Sequence, residues 1–200
     1  MSKLHFKYGA MNSGKSTALI NAAYNYEEQG HQVLVTKPSV DKKGDVNIVA
    51  RAKLTRKVDF LSTPELDIRK KLQTLGTNKK YNCLFVDEAQ FLTPEQVDQL
   101  LEIAKFDDVS VIAYGLRADF QSKMFPGSKR LMEVADNIEK LPTMCICGSQ
   151  AEFNTRIIDG RYVFSGDQVA IDGLDATYNS LCGKCYLSER KSALLKHADA

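Results

Sequence analysis

Eight residues near the start of the chain, Gly9-Ala10-Met11-Asn12-Ser13-Gly14-Lys15-Ser16, read G-x-x-x-x-G-K-S. This spacing dictates a local fold. The glycines let successive backbone N–H groups turn inward to form an anion cradle. Such a loop works between a strand and a helix, and the flanks supply both. Leu4-His5-Phe6-Lys7-Tyr8 alternates in polarity and reads as a strand. Thr17 to Glu28 is Ala-rich with a helical apolar pattern, and Gly30 stops it. The helix N-terminus adds its partial positive charge. The motif predicts that Lys15 reaches the β- and γ-phosphates of a nucleoside triphosphate. It also predicts that the Ser16 hydroxyl ligates Mg²⁺.

Residues 1–141 alternate strand-like and helix-like segments, the pattern of an α/β domain with a mostly parallel sheet. With the phosphate loop, this predicts a P-loop (RecA-like) core. Val33 to Lys37 reads as a buried strand ended by Pro38. Residues 39–57 are polar and basic and read as a mobile loop. Ser62 or Thr63 with Pro64 and Glu65 predicts a helix start, running to Leu75. Cys83 to Val86 is a short apolar strand. Thr93-Pro94-Glu95-Gln96 is a capping box opening a helix to about Lys105. Val109 to Tyr114 is another strand, broken by Gly115. Residues 116–127 read as a loop and Ser128 to Ala135 as a short helix. Ile138 begins the last core strand. From Pro142 helical periodicity fades and cysteine pairs appear. Residues 142–190 read as a small metal-stapled lobe, and residues 191–200 as a frayed tail.

The chain has 27 Lys and Arg against 25 Asp and Glu. No general field favours nucleic acid, and no basic face is visible. No apolar run approaches the length of a membrane span. The N-terminus enters a strand directly, so no secretory leader is expected.

The apolar strand Leu84-Phe85-Val86 ends in Asp87-Glu88. A strand ending in Asp is the usual partner of a phosphate loop, where the carboxylate holds Mg²⁺. Asp87 takes that role. On an extended chain Glu88 points the other way, and it is the candidate general base. If Glu88 activates water, the chain is an ATPase; if a substrate hydroxyl, it is a kinase. Cys182-Gly183-Lys184-Cys185 is a C-x-x-C knuckle, and Cys145-Ile146-Cys147 is a tighter C-x-C. Together they offer four thiolates, enough for a tetrahedral structural zinc site. Cys83 reads as a small buried hydrophobe.

Three blocks carry a family resemblance: the phosphate loop with Met11, Phe85-Val86-Asp87-Glu88-Ala89-Gln90-Phe91, and Gly115-Leu116-Arg117-Ala118-Asp119-Phe120. With the paired cysteines and Tyr178 four residues before Cys182, they resemble cytosolic thymidine kinases of the zinc-containing type. The resemblance implies that Glu88 takes the 5′-hydroxyl proton of the nucleoside. It places Asp87 and Gln90 near the magnesium and phosphates of ATP. Met11, Phe91, Leu116, Phe120 and Phe125 match positions lining the thymine pocket. A loop from about Val169 to Tyr178, including Ile171, closes over the base largely through backbone groups, and Tyr178 packs there. Cys145, Cys147, Cys182 and Cys185 match the zinc ligands. The resemblance further implies a cytoplasmic homotetramer, inhibited by thymidine triphosphate, with no nucleic-acid or membrane partner. Asp41-Lys42-Lys43 departs from the Asp-x-Arg of many members. The competing reading is a nucleic-acid-stimulated ATPase whose cysteine lobe is a zinc ribbon.

Overall fold

The structure, a computed structural model, describes residues 2–77, 79–168 and 176–198. In order, the first elements are β1 (Leu4–Tyr8), α1 (Lys15–Glu28), β2 (Val33–Pro38), β3 (Asn47–Val49), β4 (Thr55–Lys57) and β5 (Phe60–Ser62). Next come α2 (Ile68–Leu75), β6 (Cys83–Val86), a single 3-10 turn (Ala89–Phe91), α3 (Pro94–Phe106), β7 (Ser110–Gly115), α4 (Pro126–Val134) and β8 (Asn137–Lys140). The last are β9 (Phe153–Ile158), β10 (Arg161–Val163), β11 (Ala176–Leu181) and α5 (Gly183–Ala198).

The main sheet has six strands in the order β5-β2-β6-β7-β1-β8, all paired in parallel. The central strands β6 and β7 are buried along both faces because helices cover both sides of the sheet, whereas the edge strand β8 is mostly exposed. Side chains alternate between two cores with a period of two residues. Leu34, Leu84, Val86, Val111 and Ala113 face α2, α3 and α4. Val33, Val35, Cys83, Phe85 and Ile112 face α1. Cys83 is fully buried, and burial pushes its thiol up to about 12.

One consequence of strand order positions the site. β7 lies between β1, which carries the phosphate loop, and β6, which carries Asp87. That is the RecA-like arrangement, and both loops emerge at the C-terminal ends of parallel strands, where α/β folds bind ligands.

Three local expectations need correcting. The helix expected from Ser62 or Thr63 begins at Ile68, capped by Asp67, whose carboxylate accepts from Lys70 N at 2.8 Å. Phe60–Ser62 is instead drawn into the sheet beside β2, and a turn follows, closed by Leu66 N donating to Thr63 O. The stretch 39–57 contains the β3–β4 hairpin. At the other end α5 runs to Ala198, through most of the stretch read as a tail. The capping box at Thr93 and Gln96 forms in both directions.

The second sheet is antiparallel, in the order β10-β9-β11. Cys145, Ala151, Leu181, Cys182 and Tyr186 form its small core against α5.

Candidate active site

The phosphate loop joins β1 to α1 in the expected way. Gly14 has φ 74° and stands at the N-cap of α1 without a side-chain cap. A side chain larger than hydrogen is strained there, and the first N–H groups of α1 are left to bind an anion. Lys15 is 8% exposed, and its ammonium folds back to Ala10 O at 2.9 Å and Gly9 O at 3.4 Å. Burial lowers its pKa, opposed by the negative charges of Glu88 and Asp87.

Ser16 Oγ donates to Asp87 Oδ2 at 3.0 Å, which joins the two halves of the site. Asp87 is 3% exposed, and its Oδ1 has no hydrogen-bond partner among the described residues. An orphaned buried carboxylate oxygen is rare and calls for a cation. Burial, and next the charge of Glu88, push this carboxyl up to about 7. An oxygen pair of hydroxyl and carboxylate beside a phosphate cradle fits Mg²⁺.

The raised pKa gives a signed expectation. In the unfolded chain the carboxyl titrates near pH 4. Its protonated form stabilises the fold below that pH, and this contribution is lost as pH rises towards the folded value of about 7. Asp87→Asn is therefore expected to raise the melting temperature of the ligand-free protein, by an amount growing from pH 4 to pH 7 and level above. A thermal-shift series across pH checks it; a gain that shrinks over that window contradicts the burial argument.

Glu88 departs from the extended conformation expected for it. Its φ is 49° and ψ 38°, in the left-handed region, so the chain turns sharply after Asp87 into the 3-10 turn. The turn brings Glu88 into the cleft lined by Met11, Lys15, Ser16 and Leu116, about 200 Å³ in volume. Gln90, 1% exposed, bridges the site: its amide nitrogen donates to Glu88 Oε2, and its oxygen accepts from Leu116 N at 3.0 Å. Gly115 makes room for this bridge, because a Cβ there would lie 2.8 Å from Gln90 Oε1.

Of the expected base-pocket residues that the structure describes, only Met11 and Leu116 line this cleft; Phe91, Phe120, Phe125 and Tyr178 do not. Phe91 and Phe125 meet edge to face with centroids 5.5 Å apart. Phe120 is buried, with the Arg156 guanidinium 3.9 Å from its ring centroid. Arg156 Nε also donates to the Tyr178 hydroxyl at 3.2 Å. Ile171 and the rest of residues 169–175 lie outside the described residues. The chain on the N-terminal side of that segment is held by Gln168, whose amide donates to Asp119 at 3.1 Å and whose carbonyl accepts from Arg156.

The small lobe grips the phosphate loop at two residues, Met11 and Asn12, the latter through Thr143 Oγ1 donating to Asn12 O at 3.2 Å. Met11 N donates to Asn154 Oδ1 at 2.7 Å, and Met11 O accepts from Ser180 Oγ at 2.5 Å. Asn154 also donates to Ala118 O at 2.8 Å. Two strands of the lobe, β9 and β11, thus set the position of the cradle.

The sulfurs of Cys145, Cys147, Cys182 and Cys185 lie within 4.8 Å of one another. Cys147 and Cys182 are 3.7 Å apart. Zn–S bonds of about 2.3 Å in a tetrahedron imply S···S edges of about 3.8 Å, whereas a disulfide needs about 2.05 Å. The cluster is compatible with structural zinc. Hydrogen bonds from Ser149 lower Cys147 to about 6, and hydrogen bonding with Cys182 raises Cys185 to about 12.

A profile of the family described as "Thymidine kinase" matches residues 2–186, which span every feature above from β1 to Cys185. The chain belongs to the thymidine kinase family. It is 43% identical over 186 residues to "Thymidine kinase" of Enterobacteria phage T4, covering 92% of this chain and 95% of that one. With the "Thymidine kinase" of Legionella pneumophila (strain Lens) the identity is 44% over 186 residues, covering 91% and 88%. With that of Photorhabdus laumondii it is 35% over 204 residues, covering both chains in full.

In this family member, sequence patterns left several site residues unmarked. Asn154, Ser180 and Arg156 act through tertiary contacts spanning tens of residues, and no motif spacing reveals them. Lys43 and Arg51 also line the cleft. Lys43 belongs to the Asp41-Lys42-Lys43 stretch that departs from Asp-x-Arg, whereas only the basic character of the loop hinted at Arg51. No helix among the described residues is long and apolar enough to cross a membrane.

Proposed function

We propose that the chain transfers the γ-phosphoryl group of ATP to the 5′-hydroxyl of thymidine, and also of deoxyuridine, for nucleotide salvage. One observation carries the reading: Glu88 opens into the same cleft as Lys15, Ser16 and the Met11–Leu116 wall. A base placed between a phosphate cradle and the apolar side chains of Met11 and Leu116 suits a methylated-pyrimidine nucleoside as the acceptor.

In this mechanism the loop amides and Lys15 hold the β- and γ-phosphates. Ser16 and Asp87 would hold Mg²⁺, which when bound neutralises phosphate charge during transfer. Glu88 accepts the 5′-hydroxyl proton as that oxygen attacks in line, with no covalent enzyme intermediate. Gln90 keeps Glu88 oriented through its hydrogen bond. Phe91, Phe120 and Phe125 surround the base, with Tyr178 packed against it. Zinc on the four cysteines staples a lobe too small for a large core of its own. The family resemblance supports the wider picture of a cytoplasmic homotetramer inhibited by thymidine triphosphate.

The reading is tested by following ADP release with Mg·ATP and either thymidine or DNA. Stimulation by thymidine alone is the expected result. Stimulation by DNA alone would replace the kinase with a zinc-ribbon ATPase.

A further inference from the structure

The β3–β4 hairpin is a built element. Ile48 and Val58 are buried in the core formed with Leu19, Val35 and Phe85. Lys37, fully buried, donates to Asp41 Oδ2 at 2.9 Å, Lys43 O at 2.6 Å and Asn47 O at 3.1 Å. These three bonds use every proton of its ammonium and tie down the approach to the hairpin. The turn after β3 is closed by Ala50 N donating to Leu54 O at 2.9 Å and Lys53 N donating to Ala50 O at 3.0 Å.

Arg51 lies inside that closed turn. It lines the cleft together with Lys15, Ser16, Lys43 and Glu88. Among the described residues its side chain makes no ion pair or hydrogen bond, whereas Arg56 is paired with Glu27, Arg69 with Asp107 and Arg130 with Asp98. Arg51 and Lys43 both act to lower the pKa of Lys15, although burial is the larger cause. Three cations thus converge on a cleft whose lining carries one carboxylate, Glu88, with Asp87 behind it. Such an arrangement is repulsive by itself and becomes favourable around a polyanion.

We propose that Arg51 is a catalytic residue, its guanidinium contacting the γ-phosphate and the β–γ bridging oxygen of the donor nucleotide. The proposal rests on the kinase reading above. In the transfer the nucleoside 5′-oxygen forms a bond to the γ-phosphorus, and its proton passes to Glu88. The bond from the γ-phosphorus to the bridging oxygen breaks, and its electron pair leaves with ADP. Negative charge therefore grows on the oxygens that Arg51 faces. The planar fork of arginine can hold two of them at once, which a lysine cannot. The anchored hairpin holds the backbone at residue 51 beside the cleft, and the exposed Arg51 side chain, unpaired among the described residues, is left available to a nucleotide that arrives there.

The test compares wild type, Arg51→Ala and Arg51→Lys with ATP and thymidine. It also measures binding of ADP and of the β,γ-imido analogue of ATP. Arg51→Ala is expected to lower kcat at least about 100-fold, with the thymidine KM changed less than about twofold. The imido analogue should bind about tenfold more weakly while ADP binding barely changes. Arg51→Lys should recover part of kcat. An Arg51→Ala enzyme with kcat within twofold of wild type, or one in which ADP and the imido analogue are weakened equally, overturns the proposal and leaves the kinase reading intact. A wild-type protein that phosphorylates no nucleoside overturns both.

Discussion

Replacing Glu88 with glutamine is expected to lower thymidine phosphorylation by two or more orders of magnitude while ATP binding stays within about twofold of wild type. The substitution keeps the side chain's length and removes its basicity. Gln90 can still donate to the remaining carbonyl oxygen, so the orientation of residue 88 survives. The loop that holds the phosphates is not touched. The loss should therefore fall on kcat. Single-turnover kinetics with saturating ATP check this, and wild-type turnover in the variant would remove Glu88 from the role of base.

Replacing Cys182 with serine is expected to abolish zinc binding and to disrupt more than the small lobe. Structural zinc sites contribute about 10–16 kcal/mol in small metal-folded units, as large as the whole stability of a typical domain. Loss of the metal should loosen β9 and β11, which Leu181 and Cys182 tie to the small core. Those strands carry Asn154 and Ser180, the partners of both backbone polar groups of Met11. Their loss removes two of the outer supports of the phosphate loop and leaves Thr143 Oγ1 on Asn12 O. ATP affinity should fall together with thymidine affinity, which isothermal titration of both ligands reads directly. A metal-free preparation with full activity would contradict a structural role for zinc.

Legibility followed the range of the interactions. The phosphate loop, the strand ending at Asp87 and the capping box at Thr93 are local devices, and each lies where its spacing predicts. The alternation of strands and helices was enough to indicate a parallel sheet. The 3-10 turn was harder, because nothing in Asp87-Glu88-Ala89 announces a left-handed glutamate. The hairpin at 47–57 looked like loose polar chain. What orders it is the burial of Ile48 and Val58 and, on its approach, Lys37, a cation whose three acceptors become visible only after folding. A similar difficulty hid β5, whose Phe60 and Ser62 are buried only because β2 lies beside them. Asn154 and Ser180 reach the phosphate loop across 143 and 169 residues. No single-chain pattern encodes contacts of that separation.

The central claim is phosphoryl transfer to a nucleoside, and the most direct measurement follows the phosphate itself. Purified protein is incubated with Mg²⁺ and ATP labelled at the γ-phosphate, with each common nucleoside offered separately. Labelled thymidine 5′-monophosphate is expected, with deoxyuridine also accepted and little transfer to the others. Release of labelled inorganic phosphate with no labelled nucleotide, whichever nucleoside is present, would contradict it.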